Sequence, residues 1–265
     1  HNTIDAHVRN STITAGRDFY LGADACEISA ALAGGVAIST SASAVGAAVG
    51  VNLIFDTVTA KVESSTVSAS AAAVEAGAQQ VLMSVTLGAA GGEKFALGGS
   101  VSANVIMNTV AADVVSGVIG VDEEGQNIIR ESDMDGTRYV TISATDDTTA
   151  VVVAGGFAVS LSSSAVGVAA STIYIENDVH ATIDDSSVTS AEGSVTVSAG
   201  IAPPDVRADP AAIALGTSGI TLPETNSSSV INLTFGGAAS TGNFACGFGV
   251  SVNVINNTIA AVIEN

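Results

Sequence analysis

The sequence predicts an all-β chain, an elongated parallel β-solenoid carrying loop inserts, and three observations predict it. Apolar and polar residues alternate with period two, which places successive side chains on opposite faces of a strand. Segments recur at irregular spacing, the mark of stacked repeats. The apolar residues, 47% of the chain, are mostly Ala and Val, with no Trp, three Tyr and seven Phe, so the interior must be thin.

The elements follow in chain order. Ile4, Ala6 and Val8 alternate with Asp5, His7 and Arg9, a one-sided strand. Ala33 to Ala69 then sets out a frame of Ala-Gly-Gly, alternating Ser, Ser-Ala-Val-Gly and a strand in which Val58, Ala60 and Val62 alternate with Thr59, Lys61 and Glu63. The turn-formers Glu63-Ser64-Ser65 end that strand, and a second short one runs from Thr66 to Ala69. Ser70 to Gln80 is Ala-rich and reads as the best helix candidate, ending near Gly77. Phe95 to Val114 is a different unit. Both units return: the first as Ala154 to Ser190, with its own strand and turn at Val179 to Ser187, and the second as Phe244 to Ile263.

The whole of 1–265 is therefore one repeat domain, with units near 33–69, 95–115, 154–191 and 244–265. All converge on one strand start: Asn2-Thr3-Ile4, Asp56-Thr57-Val58, Asn108-Thr109-Val110, Asn177-Asp178-Val179 and Asn257-Thr258-Ile259. Thr3, Thr57, Thr109, Asp178 and Thr258 are expected at a repeated corner. Asn52, Asn104 and Asn253, each five residues before the Thr, are expected to form a hydrogen-bonded ladder, with Ile173 in that place in the remaining copy. Inserts near 116–138, rich in acid, and near 201–229, holding all four prolines, read as loops leaving the stack. Thr258 to Asn265 repeats Thr3 to Asn10, so an edge is expected at each end, suited to head-to-tail stacking or continuation in a longer array.

Segments such as Gly34-Gly35-Val36-Ala37-Ile38-Ser39, Ser164-Ala165-Val166-Gly167 and Val252 to Ala261 resemble the Ala/Gly/Ser/Val-rich repeats of large secreted bacterial surface proteins of the filamentous-haemagglutinin and leukotoxin-like adhesin type. The resembling repeats cover about two thirds of the chain. The resemblance implies a right-handed parallel β-helix, export to the bacterial cell surface, and a structural or adhesive role, with a host or cell-surface receptor or glycan as partner.

Charge narrows the chemistry. Only 12% of residues are charged, 26 acidic against 7 basic, for a net charge of −19, which disfavours nucleic acid as a partner. Uncharged runs from Ile28 to Phe55, Thr148 to Ile175 and Thr225 to Ile263 are long enough for a membrane helix. Their Ser, Gly, Thr and Asn content argues against one, so no membrane insertion is expected. The histidines are His1, His7 and His180, the latter two on polar strand faces, and no nucleophile elbow, zinc pair or phosphate loop is present. The chain thus reads as a non-enzyme without a cofactor. The enzymatic alternative is a carbohydrate-active β-helix, a lyase or hydrolase using carboxylates such as Asp146, Asp147, Asp184 and Asp185. Calcium is the remaining option: Asp133 and Asp135 begin a calcium-like loop, but Ala144 stands at its twelfth position, which favours a solvated acidic loop. Cys26 and Cys246 fit no metal spacing and read as two buried small residues, with a disulfide as the alternative.

Overall fold

The computed structural model describes residues 1–121, 139–190, 194–201 and 229–264. Every regular element among them is a strand. The first circuit of the chain is β1 (Asn2–Arg9), β2 (Thr12–Thr14) and β3 (Asp18–Ser39). The second is β4 (Ala44–Glu63), β5 (Thr66–Ala69) and β6 (Ala71–Gly92), and the third β7 (Phe95–Val115), β8 (Val118–Val121) and β9 (Tyr139–Ser160). The fourth comprises β10 (Ser164–Asp184), β11 (Ser187–Ser190), β12 (Ser194–Gly200) and β13 (Ser229–Ser240), after which β14 (Phe244–Glu264) begins a fifth.

Each circuit contributes to three parallel sheets. Sheet A has the order β1-β4-β7-β10-β14, sheet B β11-β8-β5-β2, and sheet C β12-β9-β6-β3, with β13 also pairing β9. The chain visits A, B and C in turn, and each strand pairs with its counterpart one circuit away. Sheets A and C are long and face each other, and residues of short sheet B pack in the same core as theirs.

The repeats are stacked in register. Thr3, Thr57, Thr109, Asp178 and Thr258 lie in one row across sheet A. That row is mid-strand on the outer face, which corrects its expected place at a corner: the alternation runs unbroken through it. The true corner follows the end of each sheet A strand, where Asn10, Ser64, Ser116 and Asp185 have φ of 45° to 49°. Such left-handed positions suit short polar residues. Backbone bonds tie these corners together, from Ser64 N–H to Val115 O at 3.0 Å and from Ser116 N–H to Asp184 O at 3.0 Å. A serine then bonds back two residues in three circuits: Ser11 to Arg9 O, Ser65 to Glu63 O and Ser186 to Asp184 O.

Two local expectations are corrected. The helix expected over Ser70 to Gln80 is the start of strand β6, because Ala72, Val74, Ala76 and Ala78 alternate inward and are buried. Pairing on both sides with β3 and β9 satisfies backbone groups that a helix there would withdraw from its neighbours, so tertiary pairing overrides the high helix propensity of alanine. The long strands are 20 to 22 residues rather than short, running unbroken through the Ala-Gly-Gly and alternating-Ser frame that precedes the expected strand.

The reason those residues sit inside strands is the separation of sheets A and C. Gly46, Gly98, Gly167 and Gly247 form one row in sheet A, and Gly35, Gly88, Gly156 and Gly236 a facing row in sheet C. A Cβ on Gly98 would lie 1.7 Å from the carbonyl oxygen of Phe157, and one on Gly88 1.8 Å from that of Gly99. The two backbones therefore touch. Toward the far tip the small side chains of Ala44, Ala90, Ala96, Ala158 and Ala165 pack, with Ala37 and Ala238 against them, and the interior widens in the other direction. Toward sheet B come first Ile54, Leu82, Ile106 and Ile173, then the Val- and Ile-rich cluster against sheet B.

Gly98→Ala is accordingly expected to destabilise the protein by about 3 kcal/mol, since its new methyl meets backbone that cannot yield. Gly91→Ala, with nothing within 4 Å of the new atom, is expected to be near neutral. Denaturant unfolding of the two variants checks this, and equal midpoints would refute the pinch.

Candidate functional site

The interior contains one layer whose chemistry differs from packing. At the first position of the shared strand start, Asn2, Asp56, Asn108, Asn177 and Asn257 are in register across sheet A. From sheet C, Glu27, Gln80 and Thr148 form a facing row. Asp146 joins them from two residues earlier in β9. Asp56, Gln80, Asn108, Asp146, Thr148 and Asn177 are all buried.

Burial without partners would cost several kcal/mol per group, and the layer answers with hydrogen bonds between the sheets. Gln80 Nε2 donates to Asp56 Oδ2 at 2.9 Å, and Asn108 Nδ2 donates to Gln80 Oε1 and, at 3.0 Å, to Asp146 Oδ2. Asn177 Nδ2 and the Thr148 hydroxyl each donate to Asp146 Oδ1 at 2.7 Å. Burial pushes the Asp146 carboxyl up to about 6, against the opposing hydrogen bonds from Thr148 and Asn108 and with help from the Asp147 and Asp56 charges. Burial and then the neighbouring Asp56 carboxylate likewise raise Glu27. The Asp146 carboxyl can hold a proton up to about pH 6, and among the described residues no His, Cys or Ser nucleophile belongs to the layer.

This polar seam was not anticipated from the sequence. Its signal was present one residue away, in the Asx that precedes each landmark Thr: the Thr faces outward and the Asx inward. The expected Asn ladder lies on the same faces, nearer the tip. Asn52 Nδ2 donates to Asn104 Oδ1 at 2.6 Å, and Asn104 Nδ2 donates to Ser102 Oγ at 3.0 Å and Thr172 O at 3.3 Å. Ile173 occupies the next place in the row, and Asn253 accepts instead from Asn232 Nδ2 across the interior at 2.7 Å.

Other candidates are dispersed. His7 and His180 lie on the outer face of sheet A, 3.3 Å from Glu63 and 3.9 Å from Asp113 respectively. A bond from Arg9 Nε, 2.5 Å away, holds the Glu63 carboxyl below its usual range. Asp146 and Asp147 are mid-strand in β9, whereas Asp184 ends β10, seven residues or roughly 23 Å beyond the Asn177 that Asp146 touches. The four carboxylates proposed for sugar chemistry are thus split between two places. A cleft of about 340 Å³ on sheet A is lined by His1, Phe55, Met107, Glu176 and Asp178 among others, and the His1 ring nitrogen Nδ1 lies 2.9 Å from Phe55 O. Among the described residues no three His, Cys, Asp or Glu are placed to hold a metal ion. Asp133 and Asp135 lie outside the described residues.

Cys26 and Cys246 are free thiols. Cys26 is exposed, which corrects the expectation of two buried small residues: both cysteines fall on outward positions of the alternation, in sheets C and A respectively.

Comparison of the chain with known protein families, with curated proteins and with solved structures finds no match.

The seam predicts a pH dependence. The unfolded chain releases the Asp146 proton near 3.8 and the native state near 6, so the native form binds more protons in that window. Its stabilising contribution is full below about 3.8 and is lost as pH rises through about 6. Asp146→Asn removes the loss and brings an amide donor toward Asn108 Oδ1 and Asn177 Oδ1, which accept no hydrogen bond from the described residues. The variant is expected to gain roughly 2 to 3 kcal/mol over wild type at pH 8, with little gain at pH 3.5. Thermal melts across pH measure this, and parallel curves for the two proteins would contradict it.

Proposed function

We propose that the three sheets are the walls of a single right-handed parallel β-helix spanning 1–265, and that this rod is a structural or adhesive segment of an exported bacterial cell-surface protein. One observation carries the reading: every long strand pairs in register with its counterpart one circuit on, so like residues stack in rows and the rod can grow by repetition. The interior is filled in register by Ala, Gly, Ser, Thr and Asn near the tip and by Val and Ile toward sheet B, which supplies shape and rigidity rather than a reactive centre. The repeat resemblance to adhesin-type surface proteins adds the compartment and the class of partner, a host or cell-surface receptor or glycan.

The ends suit assembly. Within the described residues β14 pairs only with β10 and β1 only with β4, which leaves a parallel edge at either end. Side chains of the core rows are uncovered there, as at Ile259 and Ile263, whose counterparts Val179 and Ile183 are buried. A second copy placing its first circuit on β14 would continue those rows, a contact that propagates and does not close.

Negative-stain micrographs together with light scattering at several concentrations test this. Elongated rods that lengthen with concentration are expected. Ile259→Lys with Ile263→Lys, which puts charge on the open core row, is expected to hold the protein at single-unit length. Compact, isometric particles at every concentration would contradict the reading.

A further inference from the structure

The side-chain pattern inverts along the long strands. Between the polar seam and sheet B it is the ordinary one, with Val58, Ala60 and Val62 inside and Thr59, Lys61 and Glu63 outside. Between the seam and the tip, β7 points Gly98, Ser100, Ser102 and Asn104 inward and Leu97, Val101, Val105 and Met107 outward. Sheet C does the same: β6 turns Ser84, Thr86 and Gly88 in and Met83, Val85 and Leu87 out. Bulky apolar side chains therefore cover both outer faces of this lobe, while Gly, Ala, Ser, Thr and Asn fill most of it and Ile54, Leu82, Ile106 and Ile173 are buried next to the seam. Val49, Val101 and Val250, in one row across sheet A, are at least half exposed, and Leu32 on sheet C is 83% exposed.

The charges respect one level. Glu27 and Asp56 flank the first uncharged run and Asp147 and Glu176 the next, and the structure folds each run down sheet C, round the tip and back up sheet A. Both ends of each run thus meet at the seam. The only charges in the described lobe are Glu93 and Lys94, at the tip itself. Tyr174 stands at the seam level with its hydroxyl donating to Glu176 Oε2 at 2.7 Å, and Phe95 and Phe244 begin their strands at the tip. From Val45 to Phe55 the apolar belt spans eleven residues, about 33 Å, close to the ~30 Å hydrocarbon core of a bilayer. With four strands abreast it covers roughly 600 Å² on each face, at the upper limit for a soluble monomer and present twice.

We infer that this charge-free lobe inserts into a lipid bilayer, with the seam level at one interface and the Ser-rich tip at the other. Polar-in and apolar-out alternation on strands is the pattern of membrane-spanning β-structure. A second copy docked face to face would need one apolar face, whereas lipid accounts for both, for their height and for the common level of charge. This departs from the expectation of no membrane insertion, which weighed helices alone; no helix among the described residues could cross. Backbone groups inside the lobe are paired between circuits, and the open edges, β3 and β4 at one end and β13 and β14 at the other, require pairing in lipid, so inserted copies associate edge to edge.

Flotation of the purified chain with phosphatidylcholine vesicles tests the inference, a zwitterionic lipid being chosen because the net charge of −19 repels anionic ones. The protein lacks Trp, so Val101→Trp and Thr59→Trp each report one depth. The expected result is flotation, with quenching of the Val101→Trp fluorophore by brominated lipid and none of the Thr59→Trp one. Val101→Asp should lower the floated fraction about tenfold, and Thr59→Asp should leave it unchanged. Circular dichroism of each variant confirms that its strands persist. Protein that stays at the bottom of the gradient overturns the inference, as does lipid-free association into layered particles with the Val101→Trp fluorophore unquenched, which would assign the faces to a second copy.

Discussion

The two long sheets touch backbone to backbone at the glycine rows, and the rest of the arrangement follows from that contact. No Cβ fits there, so each circuit must bring a glycine to the same level on each sheet, and pairing one circuit to the next must keep them in register. The narrow gap limits the neighbouring inward positions to Ala, Ser, Thr and Asn, because larger groups would force the sheets apart. Bulk is admitted only where the sheets diverge, first at Ile54, Ile106 and Ile173 and then against sheet B. Since a chain with this much apolar content must put it somewhere, the displaced Val, Leu and Phe appear outside. The inverted lobe is the geometric counterpart of the pinch.

The polar seam divides the two regimes. Hydrogen bonds from Asn108 and Asn177 to Asp146 link sheet A to sheet C, and the link from Gln80 to Asp56 does so one circuit earlier. Such a layer is a weak source of net stability, since each group gave up water to enter it. It does distinguish one register from another: a slip of one residue would place outward Thr57, Thr109 and Asp178 against the core and turn the carboxylates out. The seam thus works with the glycine rows, one fixing register by polar partners and the other by sterics.

Much of the fold could be read from the residues, and the parts that could not share a cause. Alternation over Val58 to Glu63 and Val179 to Asp184 showed the strands where the pattern is ordinary, and the turn residues at Ser64 and Asp185 marked true corners. Repeat matching found the stacked row of Thr3, Thr57, Thr109, Asp178 and Thr258. Beyond the seam, Gly, Ser and Ala read as a repeat frame without a strand of its own, because glycine inside a strand is ordinarily a weakness and its value here depends on a partner sheet absent from the local sequence. The same limit turned Ser70 to Gln80 toward a helix. The seam is hidden in the sequence because the Thr and the Asx before it recur together and only the fold turns the Asx inward, and the inside-out lobe because which parity faces the core is set by the fold.

Stacking in register is the claim on which everything else stands, and a pair of spin labels replacing Thr3 and Thr258 measures it. These positions end the five-strand row of sheet A, four inter-strand steps apart, so electron–electron double resonance should give a narrow distribution near 19 Å. A broad distribution, or one centred far beyond that distance, would show that the circuits are not layered and would contradict the account.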